Sequence, residues 1–389
     1  MDIPFSKVRS WLFDIAWPFW GAVGVDRVYG GFVEHLDLQG RDGGAAFKRV
    51  RAQARQLYCF SHAALLGFPS AREISDHGWA FLNAHGRRAD GGWVRRMGRE
   101  GGILDATSDA YDFAFVLFAH AWRYRLTKDP AVIKSAIATV EALDRDLAHA
   151  NGLGWLAHAG DLGPRQQNPH MHIIEAAIEL ADATGHPCFH ELGRTIATLL
   201  RDRFLDRNRG VLYETFEQDW STLAASDGRI VEPGHHLEWV WILLRAERIL
   251  GIPLREEADI LYRFACRYGA DLVTGLIYDQ IDAGGVPLVK DSRSWPQTEA
   301  LKAHLAMLEV HGLDTRLQIG RTVDNIFLHY LEWQPYGTWV DHRRHDGRPR
   351  VDKIPSTTLY HLQLAFTELL RLQPTIEALL PYRESERHQ

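Results

Sequence analysis

The chain has 389 residues and a formal charge of −6 at neutral pH, with acidic and basic side chains mixed along its length. That balance argues against a basic face for nucleic acid or an anionic membrane surface, and no apolar run approaches the roughly 20 residues of a membrane-spanning helix. The three cysteines, Cys59, Cys188 and Cys266, are odd in number and far apart, which fits a reducing compartment better than a disulfide framework. With no signal-peptide pattern at the N-terminus, a cytoplasmic protein is expected.

Helical periodicity and start signals place twelve helices in six pairs. In chain order they are expected over 4–20 and 48–66, 70–86 and 108–127, 130–149 and 169–184, 188–205 and 236–250, 254–269 and 296–312, and 314–331 and 357–372. Asp129-Pro130 reads as an N-cap followed by proline at the first helical position, and Asn168-Pro169 reads the same way. Between the two helices of each pair a glycine precedes, by one or two residues, two adjacent large side chains. The six occurrences are Phe32-Val33, Trp93-Val94, Trp155-Leu156, Leu212-Tyr213, Ile277-Tyr278 and Trp339-Val340, at intervals of 57 to 65 residues. Such self-similarity means one supersecondary unit repeated, here helix, hairpin, helix.

The even-numbered helices are apolar on nearly all sides, as in Tyr111 to Trp122, and should be buried; the odd-numbered ones are amphipathic, as in Ala131 to His149. Buried inner and half-exposed outer helices describe a closed double ring. The expected fold is all-α, an (α/α)6 barrel of twelve helices with short β-hairpins in the loops at one mouth, forming a single domain over 1–389 with a loose tail from 373 to 389.

The polar and aromatic residues least suited to buried helices fall at one level of the repeat. They are Arg55, Tyr111, Asn168 and His172, His235 and Glu238, Trp295, Gln297 and Glu299, and His361. On parallel inner helices these should converge on the axis, under the hairpins. Six repeats placing titratable groups at one level would be an odd core, because buried charge must be paired or costs several kcal/mol. Thirteen tryptophans and twelve tyrosines, with amides and carboxylates, suit the polar edges and apolar faces of a sugar. Histidines suit proton transfer near neutral pH. His170/His172 and His235/His236 cannot both face inward within a pair, since helical facing needs a spacing of three or four. At most His172, His235, His361 and Glu238 could share a metal, and none is expected. Asp109 or Asp112 with Glu238 could form the carboxylate pair of an inverting glycoside hydrolase, and a non-catalytic sugar-binding barrel is a further alternative.

Six segments carry a resemblance. KRVRAQARQLY over Lys48–Tyr58, YDFAFVL over Tyr111–Leu117, NPHMH over Asn168–His172, PGHHLEW over Pro233–Trp239, WPQTEAL over Trp295–Leu301 and Tyr360-His361 resemble the motifs of the N-acylglucosamine 2-epimerase superfamily. That group includes N-acylglucosamine and cellobiose 2-epimerases and mannose and sulfoquinovose isomerases. The resemblance implies an (α/α)6 barrel acting without cofactor on an open-chain aldose through a cis-enediol. It implies His361 and His235 as the acid–base pair and Arg55 near the substrate O1 and O2. Tyr111, Asn168, His172, Glu238, Trp295, Gln297 and Glu299 become supporting or sugar-binding groups, Glu238 orienting His235. Ser294 before Trp295 and Leu362-Gln363 after His361 depart from the disaccharide epimerase pattern and favour a monosaccharide isomerase. D-mannose to D-fructose is the expected reaction, with 2-epimerisation of mannose, cellobiose or an N-acylglucosamine as the alternative. The expected partner is a monosaccharide, with no nucleic acid and no membrane, and the chain is expected as a monomer or homodimer.

Overall fold

A computed structural model describes residues 3–223 and 229–379. Twelve helices alternate between an inner and an outer ring. The inner six are α2 (Val50–Leu65), α4 (Ala110–Thr127), α6 (Gln167–Thr184), α8 (Pro233–Leu250), α10 (Ser294–Ala306, continued by a π-turn at Met307–His311) and α12 (Thr358–Ala378). The outer six are α1 (Phe5–Ser10, Trp11–Ala16 and Trp17–Val23 in succession), α3 (Ala71–Phe81 with Leu82–Gly86), α5 (Pro130–Leu147), α7 (Pro187–Leu199 with Leu200–Phe204), α9 (Arg255–Tyr268) and α11 (Arg316–Ile326 with Phe327–Leu331). Each inner helix packs on the inner helices before and after it, and α12 packs back on α2, so the ring closes. The seam is stitched by Gln363, which accepts from Trp17 Nε1 at 2.9 Å and donates to the Cys59 carbonyl at 2.9 Å.

The sequence accounts for the two rings. Inner helices bury residues on every side, including Phe113 to Ala121 in α4 and Leu237 to Leu244 in α8. Outer helices bury one stripe; in α5 this is Val132, Ala136, Val140, Leu143 and Leu147, the spacing of an amphipathic helix. Asp129 caps α5, accepting from Ala131 N at 2.9 Å. Asn168 is not a cap: α6 starts one residue earlier, at Gln167. The last helix runs to Ala378, past the start of the expected tail, and residues 380–389 lie outside those described. Cys59, Cys188 and Cys266 form no disulfide, and no helix of the described residues is long and apolar enough to cross a membrane.

Each outer helix ends in a tight hairpin whose return carries one of the Gly-aromatic or Gly-apolar pairs. Phe32 bridges Val25, Trp93 bridges Arg87, Trp155 bridges Ala148 and Ile277 bridges Ala270; Leu212 pairs with Leu205, and Val340 donates to the Tyr330 carbonyl. In four repeats a side chain of the following inner helix takes the N–H of the first large residue. The acceptors are Gln53 for Phe32 (2.8 Å), His170 for Trp155 (3.0 Å), His236 for Leu212 (3.1 Å) and Gln297 for Ile277 (3.2 Å). The glycine is required where this contact is tight: Gly31 has φ 68° and a Cβ there would lie 2.4 Å from Gln53 Oε1.

The segment entering each inner helix pairs antiparallel with the next repeat. Phe47–Arg49 pairs with Arg96–Gly98, Asp109 bridges His158, Arg165–Gln166 pairs with Thr215–Phe216, Ile230–Val231 with Gln280–Asp282, and Ser292–Arg293 with His342–Arg343. The last, Ile354–Pro355, pairs with His35–Leu36 of the first repeat. The result is a circular crown of short strands standing on the N-termini of all six inner helices.

Candidate active site

Because all six inner helices begin under the crown, side chains on their first turns meet at the axis. Arg55 of α2 donates to Tyr111 Oη of α4 at 2.6 Å, its guanidinium also lying 3.9 Å from the centroid of the Phe115 ring. Tyr111 packs edge-on against His172 of α6, ring centroids 4.9 Å apart. His172 Nδ1 lies 3.9 Å from Glu238 of α8. His235 of α8 and His361 of α12 flank Trp295 of α10, with centroids 5.0 and 5.8 Å from it. Glu299 of α10 holds His361. The structure brings these eight together, and Asn168 joins them as a lining residue beside Arg55, Tyr111 and His235, so nine of the ten residues singled out from sequence meet here.

The tenth, Gln297, faces away. It is fully occupied by the Ile277 N–H, Ser292 Oγ and the Arg293 carbonyl, and borders a cavity of about 740 Å³ outside the ring, beside Cys266 and Asn325. The reason is helical phase: Trp295 and Glu299 are four apart and share a face, while a residue two from each points elsewhere. The same rule turns His170 and His236 outward, onto the hairpin N–H groups.

Both axial histidines are bound to a carboxylate through Nδ1, which leaves Nε2 as the free ring nitrogen. For His361 the partner is Glu299, at 2.8 Å. For His235 it is Glu214, at 2.8 Å, with Glu232 at 3.8 Å. Glu214 follows the Leu212-Tyr213 pair on its hairpin and is fixed in turn by Gln167, whose amide donates to it at 3.0 Å. The expectation that Glu238 orients His235 is thus corrected: Glu214 reaches it from the crown, and Glu238 sits deeper, beside His172. Glu175 and Lys302 carry no expectation from the sequence, and Tyr360 enters there only as the neighbour of His361 in its motif. Glu175 binds His172 Nδ1 at 3.0 Å and accepts from Tyr360 Oη at 2.5 Å, and Lys302 Nζ lies 2.6 Å from Glu299. The signal for two of them was present, since Glu175 and Lys302 each stand three residues after a site residue, one turn deeper on nearly the same face.

The environments push the two histidines in opposite directions. Burial lowers His361 well below the ordinary histidine value, aided by the positive charges of Arg55 and Lys302. Burial also opposes protonation of His235, but Glu214 and Glu232 outweigh it and raise the ring to about 9. The two shifts have opposite sign, the pattern by which surroundings set two titratable groups apart. Burial and the Glu299 charge push the Glu238 carboxyl well above the usual range, and burial lowers His172 to about 4. The donor atoms of His172, Glu175 and Glu238, and those of Glu238, Glu299 and His361, lie within 4.8 Å of one another. These are the groups that could hold a cation, although Lys302 already places a positive charge on Glu299.

Two cavities open at the crown. One of about 320 Å³ is bordered by His235, Glu214, Glu232 and Gln280, and one of about 400 Å³ by Arg55, Tyr111 and three further arginines. Gln166 and Asn168 border both. Asn168 Oδ1 is buried without a hydrogen-bond partner among the described residues, an acceptor free for a ligand hydroxyl. The hydrolase geometry gains nothing here: Asp112 and Asp109 are both engaged by Arg51, at 2.6 and 3.3 Å.

Comparison with known proteins agrees with this arrangement. The chain is 31% identical over 388 residues to a protein of Rhizobium meliloti (strain 1021) named mannose-6-phosphate isomerase, an alignment covering 95% of this chain and 98% of that one. It is 27% identical over 307 residues to a D-mannose isomerase of Thermobifida fusca, covering 72% and 69% of the two chains. Its fold superimposes on the cellobiose 2-epimerase of Spirochaeta thermophila with a TM-score of 0.85 at 22% identity, over 96% of this chain and 97% of that one. The model of the N-acylglucosamine 2-epimerase family matches residues 30–365, a span that holds all six pairs of large residues from Phe32-Val33 to Trp339-Val340 and every residue converging on the axis: the chain belongs to that family and is a sugar isomerase or epimerase.

Proposed function

We propose that the protein interconverts an aldose of the mannose type and its 2-ketose by proton transfer, D-mannose to D-fructose being the simplest case. The observation that carries this reading is the pair His361 and His235, each anchored to a carboxylate through Nδ1 and each packed against Trp295, in surroundings that push the two rings in opposite directions.

With the open-chain aldose at the axis, His361 Nε2 removes the C2 proton. The electron pair moves into the C1–C2 bond and the carbonyl electrons go to O1, which takes the His235 proton. That gives a neutral cis-enediol and returns His235 to the free base. His235 then takes the O2 proton while His361 delivers its own to C1, giving the ketose and restoring both rings. Arg55 faces the oxygen on which negative charge develops, preorganised electrostatics of the kind worth several kcal/mol in the transition state. Earlier in the cycle, the protonated His235 assists opening of the pyranose ring. Asn168 and Trp295 hold the polyol by an amide acceptor and an aromatic face.

The relatives named for mannose 6-phosphate and for D-mannose suit this reaction, because the chemistry at C1 and C2 is the same for both sugars. Epimerisation at C2 is the second reading, supported by the match to the N-acylglucosamine 2-epimerase family; it needs the two imidazoles on opposite faces of C2. Incubation with D-mannose in D2O separates the possibilities. Solvent deuterium at C1 of fructose supports the proposal, and deuterium at C2 of glucose supports epimerisation. Full retention of the C2 hydrogen in fructose, with loss of activity in EDTA, would replace it by a metal-assisted hydride shift.

A further inference from the structure

The 400 Å³ cavity beside the axis has a composition that transfer of a proton between C1 and C2 does not require. Arg49, Arg51 and Arg95 border it beside Arg55, which the proposed reaction keeps at the carbonyl end of the sugar, and Asp109 is its one bordering carboxylate. A neutral polyol offers hydroxyls, which amides and backbone groups satisfy; three further guanidinium groups match a dianion.

The arginines are not consumed by their neighbours. Each guanidinium has five N–H donors. Arg49 spends one on Glu34. Arg51 spends two, on Asp112 at 2.6 Å and Asp109 at 3.3 Å. Arg95 stands 3.4 Å from the same Asp109 oxygen and 3.9 Å from Asp105, and its side chain makes no hydrogen bond among the described residues. Two arginines therefore share Asp109. Asp112 compensates Arg51 incompletely, since burial and the Asp109 charge raise its carboxyl to about 7 even with Arg51 alongside. The cavity adjoins the one bordered by His235, with Gln166 and Asn168 lining both.

We infer that this arginine-lined cavity is a phosphate subsite, so that the preferred substrate of the proposed isomerisation is an aldose phosphorylated at the end remote from its carbonyl. Arg95 and Arg51 bind the phosphate oxygens from the crown, while the sugar chain runs past Asn168 to the histidines. The inference rests on the proposed reaction for the sugar, but not for the anion.

The experiment compares wild type, Arg95→Gln and Arg95→Lys in two measurements. The first is kcat/KM for D-mannose 6-phosphate and for D-mannose. The second is calorimetric binding of inorganic phosphate, with inorganic sulfate as a second anion. Wild type is expected to favour the phosphorylated sugar by at least about tenfold. Arg95→Gln collapses that ratio by about tenfold or more, chiefly through KM, and weakens phosphate binding similarly, while Arg95→Lys restores part of both. Equal kcat/KM for the two sugars, or a preference untouched by Arg95→Gln, overturns the inference and leaves the isomerase reading standing if both sugars turn over. Phosphate binding that depends on Arg95, with neither sugar isomerised, upholds the subsite and overturns the reaction instead. Neither phosphate binding nor turnover overturns both.

Discussion

Replacing Glu214 by Gln keeps a side chain that can accept from His235 and removes the charge that makes His235 basic. Glu214 and Glu232 hold the ring at about 9 against the cost of burial; without the nearer carboxylate the ring returns to the ordinary 6.5 or below. A fall from 9 to 6.5 corresponds to about 3 kcal/mol of lost preference for the protonated form. If His235 supplies its proton in the first step, activity follows the protonated fraction. That fraction drops about fourfold at pH 7 and about thirtyfold at pH 8, and the alkaline limb of the kcat/KM profile moves from about 9 down to about 6.5. Stability moves with it. Because the folded value lies above the unfolded one, the pair stabilises the wild type fully below about 6.5 and loses this contribution as pH rises through about 9. The variant is therefore less stable at pH 6 and nearly equal to wild type at pH 10. Initial rates of ketose formation from pH 5 to 10, with urea titrations at both ends, measure both effects. An alkaline limb that stays in place in Glu214→Gln refutes the assignment of His235 as the acid.

Three further outcomes are expected. His361→Asn removes the base and keeps a hydrogen-bonding group toward Glu299, so kcat falls by at least about a hundredfold while the urea midpoint stays near that of wild type. His236→Asn weakens the hold on the buried Leu212 N–H and costs about 1–3 kcal/mol of stability, yet its kcat stays far above that of His235→Asn; equal damage from the two would show that the phase of α8 is misread. Glu179→Gln leaves Arg125 and Arg245 short of a carboxylate at the opposite end of the barrel and lowers stability by about 3 kcal/mol at neutral pH without changing KM. Against the cost of burial those two arginines hold Glu179 down to about 2, so its contribution is present above about 4.5 and disappears as pH falls toward 2; denaturation of both proteins from pH 7 to pH 2 reads the convergence.

The fold was legible because the repeat is written in residues that cannot be exchanged freely. A glycine in the left-handed region one or two residues before a large buried side chain occurs six times, and the apolar character of the even helices alone distinguishes a ring from an open stack. The site was legible where one rule, helical phase, governs placement. It correctly separated His172 from His170 and His235 from His236. It would also have removed Gln297, had its spacing of two from Trp295 been weighed as the histidines were. What sequence did not disclose came from outside the helices. Glu214 lies on a hairpin, where no periodicity says which way a side chain points, and its contact with His235 spans 21 residues of the chain. The arginine cavity is hidden for the same reason, since Arg95 belongs to one hairpin and Arg49 and Arg51 to the entry of another helix.

The pairing of His35–Leu36 with Ile354–Pro355 places the closing contact of the crown at a separation of more than 300 residues. A nascent chain can stack its first five repeats as they emerge, but the ring stays open until the sixth arrives. His361 and Tyr360 lie on that final inner helix. Activity therefore begins with the last event of folding, and a chain truncated before α12 leaves two unsatisfied strand edges and no base. The same adjacency has a constructive side. With α1 packed on α12 and the seam held by Gln363, the first and last described helices are neighbours. The Gly185 turn between α6 and α7 lies far from the crown. Joining the ends with a linker and reopening the chain there yields a circular permutant in which every repeat keeps both of its partners.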